Sequence, residues 1–341
     1  MTDVNRPIDQ ARRLVFGYRA FQLVVAACEL KIPDLLAAGP KSAEELAAVT
    51  QTHAPSLRAM LRGLAAWDVV VDQGDGTFAA TQLSDCFRSD APGLRNLTLM
   101  LAGDGNAAWS NLLHTMRTGG TAFVDMFGMR TWEKLAQDPV ATARFNAAMA
   151  ENSRQTASAF VAAYDLAGVR SVVDVGGGSG ALLAAVLRAG PGMRGMLFDL
   201  PQGLVSARAT LEEAGVLPRV TLVEGSFFES VPTGGDLYLL KWIIHDWSDD
   251  EALVILANCR QSMSSTARLV LLERSLPQHV DSSPAGLDAT MADLHMRVVL
   301  GGRERTSGEY RDLFNRAGLV MTRSMPTASE LTIFEAARSE G

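Results

Sequence analysis

The second half of the chain alternates short apolar or β-branched runs with helical stretches, and this alternation constrains the fold more than any other feature. Alternation of this kind is typical of βαβ units, in which parallel strands form a sheet covered by helices on both faces. The predicted strands span 171–175, 195–199, 220–224, 236–241 and 268–273. Two further runs, 319–325 and 330–336, predict a hairpin that adds an antiparallel strand at the sheet edge.

The first half of the chain has the spacing of helices. Apolar residues recur three and four positions apart over 8–36, and Ser42 with Glu45 forms the capping-box pattern that begins a short helix. A second helix is expected over 55–67, and Asp75-Gly76 joins two apolar runs as a strong hairpin signal. Helix, helix and hairpin in this order predict a winged helix-turn-helix.

A winged helix can bind DNA, but the charge of this one argues against that function. Its second helix carries only Arg58 and Arg62 as basic residues, and residues 1–100 hold 10 Lys/Arg against 11 Asp/Glu. Phosphate neutralisation supplies most of the affinity of a DNA reader, so a basic recognition helix would be expected. A scaffold or dimerisation module is favoured over a ligand-sensing regulator.

The cysteines and the apolar segments indicate a cytoplasmic protein. The three cysteines are widely scattered and form no CxxC pair, so neither a disulfide framework nor a structural zinc site is expected. The apolar stretch 14–36 is interrupted by charged residues and is too polar for a membrane span. The first residues lack the basic-then-apolar order of a signal peptide.

The first strand of the alternating half ends in the segment DVGGGSG, directly before a helix. Gly176, Gly178 and Gly180 allow a tight turn and a close backbone approach by a ligand. Asp174 precedes the loop, and Asp199 ends the next strand, where a carboxylate can bind both hydroxyls of a ribose. A dinucleotide and S-adenosylmethionine both fit this geometry. The spacing and the adjacent anion, which suits a sulfonium and repels a pyrophosphate, favour S-adenosylmethionine.

Several motifs in a fixed order give the chain a family resemblance. They are DVGGGSG, FDLP, LKWIIHDWSDDE, LLERSLP and GGRERT. With the helical first half, they resemble the cation-independent, S-adenosylmethionine-dependent small-molecule O-methyltransferases of the plant caffeate and bacterial polyketide and phenazine type. The resemblance implies an α/β fold, with a Rossmann-like catalytic domain over 166–341. It also implies a helical and winged-helix dimerisation domain over 1–95, a helical linker and pocket roof over 96–165, and a homodimer active in secondary metabolism such as antibiotic biosynthesis.

The resemblance also implies which residues bind the cofactor. They are Asp174, Gly176, Gly178, Asp199, Leu200, Ser226, Phe227, Lys241, Trp242, Met149 and Ser153. Ser226 departs from the family, which usually has Asp at this position beside the adenine. A hydroxyl accepts a hydrogen bond from the exocyclic amine more weakly than a carboxylate does.

A base that takes the proton of a phenol is the other requirement of O-methylation, because a phenol with a pKa near ~10 is mostly protonated at neutral pH. His245 follows the fourth strand at the sheet edge where the cofactor should lie, and the resemblance supplies Glu273 and Glu304 to orient it. The other four histidines, including His295, are interpreted as structural. No metal is expected, because the carboxylate pair Asp249-Asp250 falls in a helix cap.

The acceptor is expected to be a flat, apolar, aromatic small molecule. Its predicted contacts are Trp109, Phe145, Met149, Asp246, Met291 and Met296. The main alternative is an enzyme of the same fold with non-methylating chemistry, such as hydroxylation, decarboxylation or cyclisation. Such relatives tend to lose the histidine and glutamate set, and this chain retains it.

Overall fold

The computed structural model describes residues 6–339, which divide into two compact units between Gly103 and Asp104. The first unit contains six helices and a three-stranded antiparallel sheet of order β1-β3-β2. Its elements are α1 (Pro7–Glu29), α2 (Ile32–Ala37), β1 (Lys41–Ser42), α3 (Ala43–Thr50), α4 (Ala54–Ala65), β2 (Val70–Asp72), β3 (Thr77–Ala80), α5 (Gln82–Asp85) and α6 (Arg95–Leu101).

The winged-helix pattern of the first unit is present as the sequence predicts. Ser42 and Glu45 form a complete capping box at the start of α3, and β2 and β3 form the hairpin. The helical spacing over 8–36 covers two helices, α1 and α2. Lys31 adopts a left-handed conformation with φ of 53°, and Pro33 at the start of α2 has no backbone N–H to continue α1.

The second unit begins with five helices and continues with alternating strands and helices. The helices are α7 (Asp104–Ser110), α8 (Leu112–Thr118), α9 (Ala122–Phe127), α10 (Thr131–Ala136) and α11 (Pro139–Ala163). The alternating part contains β4 (Ser171–Val175), α12 (Ala181–Ala189), β5 (Arg194–Asp199), α13 (Ala207–Glu213), β6 (Val220–Glu224), β7 (Leu237–Lys241), α14 (Asp249–Ser262), β8 (Arg268–Glu273), α15 (Pro284–His295), α16 (Ser307–Arg316), β9 (Leu319–Pro326) and β10 (Thr332–Arg338).

A seven-stranded sheet of order β6-β5-β4-β7-β8-β10-β9 organises this unit. Strands β4 to β8 are parallel, and β10 runs antiparallel to both β8 and β9. The predicted Rossmann-like sheet with an antiparallel edge is thus confirmed. Helices α11, α12 and α13 cover one face of the sheet, and α14 and α16 cover the other.

The strand order determines where a ligand can bind. Strand β5 lies on one side of β4 and β7 on the other, so the chain changes direction across the sheet at β4. In open α/β sheets such a switch point leaves a crevice at the carboxyl ends of the strands. The segments after β4, β5 and β7 therefore face one another across that crevice.

No helix within residues 6–339 combines the length and the apolar character that a membrane crossing requires.

Candidate active site

The loop after β4 is packed too closely for side chains. Gly176 has a φ of 69°, and a Cβ on it would lie 2.5 Å from Cδ1 of Ile243. A Cβ on Gly177 would lie 2.3 Å from Cδ1 of Leu197. A side chain at either position would require Ile243 or Leu197 to shift. Gly176, Gly178 and Gly180 all have a left-handed φ, which glycine adopts most readily.

A cavity opens above this loop at the carboxyl ends of β4, β5 and β7. Its lining combines the backbone of the glycine loop, the ends of β5 and β7, the segment after β6, and one face of α11. Of the predicted cofactor residues, it includes Gly176, Gly178, Asp199, Leu200, Ser226, Phe227, Lys241, Trp242, Met149 and Ser153. Asp174 is outside the lining and buried beneath the loop. The structure therefore places ten of the eleven predicted cofactor residues around one cavity.

Two aspartates give the glycine-loop side of the cavity its negative charge. The carboxylate of Asp199 accepts hydrogen bonds from the backbone N–H groups of Gly178 at 2.8 Å and Leu200 at 2.7 Å. Burial, together with the charge of Asp199, raises the pKa of Asp174 to about 7. Oδ2 of Asp174 is buried without a hydrogen-bond partner. A cationic ligand above the loop would satisfy this charge, as a sulfonium or an ammonium group does.

Lys241 closes the opposite wall of the cavity. Its Nζ donates to Oδ1 of Asn152 at 2.7 Å and to Oγ of Ser153 at 3.2 Å, so β7 is tied to α11. Nζ also lies 4.2 Å from the ring centroid of Trp242, which adopts a left-handed φ of 54°. Burial lowers the pKa of Lys241 to about 8, although nearby carboxylates oppose the shift. Sequence reasoning missed Asn152, because nothing in a helical asparagine indicates a partner 89 positions later.

Aromatic rings form the wall next to Ser226. Phe227 and Phe228 pack at right angles against Trp247, and Oγ of Ser226 accepts a hydrogen bond from the N–H of Phe228 at 3.2 Å. The hydroxyl hydrogen remains free to point at a ligand. This aromatic wall suits a flat heteroaromatic ring such as adenine. Because residue 226 is a serine, there is no carboxylate at this position to accept a hydrogen bond from the adenine amine.

His245 is enclosed by three carboxyl groups directly behind the cavity wall formed by Trp242. Its Nδ1 lies 2.9 Å from Oε1 of Glu304 and 3.8 Å from Oε2 of Glu273, and its Nε2 lies 3.3 Å from Oδ1 of Asp246. Glu273 and Glu304 are fully buried. Asp246 lines the cavity, whereas His245 itself is outside the lining and buried behind it.

The charges of this cluster decide the protonation of its members. Burial opposes the imidazolium form, but Glu304, Glu273 and Asp246 outweigh it and raise the pKa of His245 to about 10. Burial also raises the pKa of Asp246 to about 7 and raises that of Glu273. With this pKa, His245 is protonated at neutral pH, and its neutral form becomes abundant only as the pH approaches about 10.

Arg305 fixes the loop that carries His245. Its side chain is fully buried and donates to the carbonyl oxygens of Ile244 and Trp247, each at 3.0 Å, and to Oδ1 of Asp249 at 2.7 Å. A planar guanidinium with five N–H donors is the side chain that can hold three acceptors at once. Sequence reasoning missed this role, although the motif GGRERT contains the residue.

Gly302 allows the same loop to pack against the segment before Glu304. A Cβ at this position would lie 2.0 Å from the carbonyl oxygen of His245. The neighbouring N–H of Arg303 donates to that oxygen at 2.8 Å, and the N–H of Glu304 donates to Asp293 at 3.0 Å. Backbone contacts therefore set the distance between His245 and Glu304.

The three buried groups could also hold a cation. One ligand atom each from His245, Glu273 and Glu304 lies within 4.8 Å of the others. Nδ1 of His245 and Oε1 of Glu304 already bond each other, so a metal ion would compete for these two atoms. The expectation that the protein uses no metal stays a prediction.

The residues predicted to contact the acceptor fall into two groups. Phe145 and Met149 on α11 line the cavity with Asp246, and Phe145 packs edge-on against Trp132 at 5.3 Å between ring centroids. The other three are outside that lining. They are Trp109 on α7, Met291, which is 43% exposed on α15, and Met296, which is buried after it.

The sheet and the cavity above its glycine loop have the architecture of the methyltransferase fold. The family model for the O-methyltransferase domain matches residues 109–320, and that for the O-methyltransferase dimerisation domain matches 12–90. The chain belongs to the S-adenosylmethionine-dependent O-methyltransferase family.

Three known proteins show how far the similarity extends. Phenazine O-methyltransferase PhzM of Lysobacter antibioticus is 40% identical over 95% of this chain and 94% of that protein. The structure of NcsB1, an O-methyltransferase from neocarzinostatin biosynthesis in complex with S-adenosylmethionine and 2-hydroxy-5-methyl naphthoic acid, is 33% identical. It superposes with a TM-score of 0.82 over 94% of this chain and 96% of that chain. Aclacinomycin 10-hydroxylase RdmB of Streptomyces purpurascens is 33% identical over 91% of this chain and 83% of that protein.

Proposed function

We propose that this enzyme methylates a phenolic hydroxyl of an aromatic secondary metabolite, with His245 as the general base. The observation that carries the proposal is the position of His245, whose Nδ1 bonds Glu304 while its Nε2 lies beside Asp246 at the cavity wall. A base needs one nitrogen fixed by an acceptor and the other directed at the reacting hydroxyl. The bond to Glu304 meets the first condition, and the contact of Nε2 with Asp246, which lines the cavity, supports the second.

Different residues of the cavity bind different parts of the cofactor. Bound S-adenosylmethionine supplies a methyl group on a sulfonium, which is already activated for displacement. Gly176 and Gly178 give a close backbone surface for its methionine part, Asp199 binds the ribose, and Ser226 and Phe227 flank the adenine. The buried charge of Asp174 lies beneath the loop, where it favours the cationic groups.

His245 then accepts the proton that the phenol loses. The phenol O–H bond breaks toward Nε2 as the oxygen forms a bond to the methyl carbon, and the electron pair of the S–CH₃ bond remains on sulfur as S-adenosylhomocysteine. Glu304 and Glu273 stabilise the resulting imidazolium. The leaving group needs no further activation. The rest of the rate acceleration therefore comes from alignment of the acceptor oxygen with the methyl group of the donor.

The acceptor is assigned to the part of the cavity between α11 and Asp246. Phe145 and Met149 offer an apolar, polarizable surface for a flat ring, and Asp246 offers a hydrogen bond to it. Trp109, Met291 and Met296 are proposed to contact the more distant part of the acceptor. Residues 96–165 supply the roof in this proposal, and 166–341 the catalytic domain.

Because one relative is a hydroxylase, non-methylating chemistry is the second candidate function. A protein of the same family can therefore catalyse another reaction. The retained cluster of His245, Glu273 and Glu304 favours methyl transfer, since a proton acceptor at this place serves a phenol. The two candidates differ in product: methyl transfer adds a methyl group to oxygen and releases S-adenosylhomocysteine.

Transfer of labelled methyl from S-adenosylmethionine to a panel of simple and polycyclic phenols tests the proposal. We expect label on a phenolic oxygen, and a loss of roughly 10²–10⁴-fold in His245→Ala, the range expected for a general base. His279→Ala is the matched control, because His279 is exposed outside the site. Undiminished transfer in His245→Ala would remove the base, and oxidised or decarboxylated acceptor without label would establish the second candidate.

We also propose that the protein forms a homodimer through residues 1–95. The match of residues 12–90 to the dimerisation domain supports this, and α1 exposes apolar side chains such as Leu14, which is 84% exposed. Light scattering should give twice the chain mass of 36.5 kDa. A monomer at micromolar concentration would contradict it.

A further inference from the structure

Arg274, the residue after β8, shares one carboxylate oxygen of Glu304 with His245. Nη1 of Arg274 lies 4.0 Å from Oε1 of Glu304, and the same oxygen lies 2.9 Å from Nδ1 of His245. A separation of 4.0 Å is too long for a hydrogen bond, but the guanidinium charge still acts on the oxygen at this distance. Arg274 therefore offsets part of the negative charge of Glu304 without taking the hydrogen bond from the imidazole.

Several segments of the chain hold Arg274 in this place. Its Nη2 lies 3.3 Å from Oδ2 of Asp288 on α15 and 3.9 Å from Oε1 of Glu330, which lies between β9 and β10. Its Cζ lies 4.9 Å from the ring centroid of Trp242, a residue of the cavity lining. The side chain is 15% exposed. A planar guanidinium between these partners keeps its charge at a fixed position beside Glu304.

The contacts of Arg274 also extend to the cofactor wall of the cavity. Oε1 of Glu330 accepts a hydrogen bond from Nδ2 of Asn152 at 3.1 Å, and Oδ1 of Asn152 accepts one from Nζ of Lys241 at 2.7 Å. Burial and, to a lesser degree, the charge of Arg274 lower the pKa of Lys241 to about 8. One set of polar contacts therefore connects Lys241 with the cluster around His245.

The groups around His245 mostly favour its protonated form. Charged and titratable side chains contact its ring or its loop from several segments: Asp246, Glu273, His295, Glu304 and Arg305. Burial lowers the pKa of His245, but the three carboxyl groups outweigh burial and raise it to about 10. Proton transfer from a phenol needs the neutral imidazole. A positive charge beside Glu304 increases the neutral fraction, because it weakens the hold of that carboxylate on the proton.

We propose that Arg274 is a positioning residue, which acts through Glu304 to keep His245 available as the base. The inference rests on the proposed function and adds a residue to it. Without the guanidinium charge, Glu304 would hold the imidazolium proton more strongly. Arg274→Met should therefore lower kcat/KM for a weakly acidic phenol by about tenfold, the change expected when a charge close to a titrating group is lost.

Double-mutant kinetics with two classes of phenol test this. Because Glu304 transmits the effect, Arg274→Met should change kcat/KM by less than about twofold in the Glu304→Gln background. A phenol that is already ionised needs no base, so Arg274→Met should methylate it at an unchanged rate. Arg274→Lys, which keeps the charge, should restore most of the rate for the weakly acidic phenol. Arg170→Met is the control, since Arg170 is 88% exposed and pairs with Asp236 outside the cavity lining.

Proton NMR at neutral pH tests the contact without an activity assay. The hydrogen on Nδ1 of His245 lies in the bond to Glu304, and its resonance moves downfield as that bond strengthens. We expect a downfield shift in Arg274→Met and none in Arg170→Met. An unshifted resonance, or equal losses for weakly acidic and ionised phenols in Arg274→Met, would overturn the inference.

Failure of this inference and failure of the proposed function give different results. Methyl transfer that depends on His245 but not on Arg274 would contradict the inference alone. Transfer to no hydroxyl would contradict the proposed function, and the resonance of the Nδ1 hydrogen would still show whether Arg274 acts on Glu304.

Discussion

Nδ1 of His245 lies 2.9 Å from Glu304, and on the other side of the ring Nε2 lies 3.3 Å from Asp246. The imidazole is thus held between two carboxyl groups, with Glu273 at 3.8 Å from Nδ1 as a third. The cluster holds a proton strongly, and under the proposed mechanism the phenol loses its proton to it. A high pKa makes His245 a strong base, but it also leaves little of the residue in the neutral form that can accept a proton. The pH sets the fraction that is neutral.

Turnover should rise with pH through the neutral and mildly alkaline range. The base must be neutral to accept a proton, and the pKa of His245 is raised to about 10, so the reactive fraction grows until that pH. Glu304→Gln removes a negative charge beside Nδ1, which lowers the pKa of His245 and moves the end of the rise to lower pH. Profiles of kcat/KM against pH for both enzymes check this. Ionisation of the phenol itself is the same for both, so superimposable profiles would contradict the assignment.

Removal of divalent cations should leave methyl transfer unchanged. The sulfonium is an activated donor, and Nδ1 of His245 and Oε1 of Glu304 already bond each other. Dialysis against a strong chelator, followed by the labelled-methyl assay with and without added Mg²⁺ or Zn²⁺, measures this. Loss of activity that an ion restores would show that the buried cluster binds a metal.

Ser226→Asp should strengthen cofactor binding. The wall beside Ser226 is aromatic, and a carboxylate there would accept a hydrogen bond from the adenine amine more strongly than the hydroxyl does. We expect the dissociation constant of S-adenosylhomocysteine to fall by about tenfold, in line with a charge-assisted hydrogen bond of roughly 1.5 kcal/mol. Titration calorimetry measures it, with Ser226→Ala as the control. Weaker binding by the Asp variant would place the adenine elsewhere.

Gly302→Ala should disturb both folding and catalysis. The added Cβ would lie 2.0 Å from the carbonyl oxygen of His245, so the two segments must separate. Overpacking of this kind costs about 1–3 kcal/mol in the free energy of unfolding, measured by denaturant titration. Gly308→Ala is the matched control, since its Cβ meets nothing closer than 3.8 Å and lies in helix α16. Equal stability of the two variants would contradict the close contact.

The sequence predicts most of the fold because its signals are local. Capping pairs such as Ser42 with Glu45 fix helix starts, and apolar runs bounded by turns fix the strands. The helical spacing over 8–36 could not reveal the break at Lys31, since the same periodicity continues on both sides of it.

Site residues that lie in recognisable motifs can be predicted from the sequence. Contacts between residues that are distant in the sequence cannot. The glycine loop, Asp199 and His245 stand in recognisable segments. The contacts of Asn152 with Lys241 and of Trp109 with His295 join residues 89 and 186 positions apart, and only tertiary packing brings them together.

The proton transfer to His245 is tested most directly by acceptor acidity. Ring-substituted derivatives of one accepted phenol, spanning weakly to strongly acidic hydroxyls, are methylated by the wild-type enzyme and by His245→Ala in single-turnover experiments. A base is needed only for a hydroxyl that is still protonated, so the loss in His245→Ala should shrink from roughly 10²–10⁴-fold for weakly acidic phenols to less than about tenfold for ionised ones. A loss of equal size across the series would show that His245 does not take the proton.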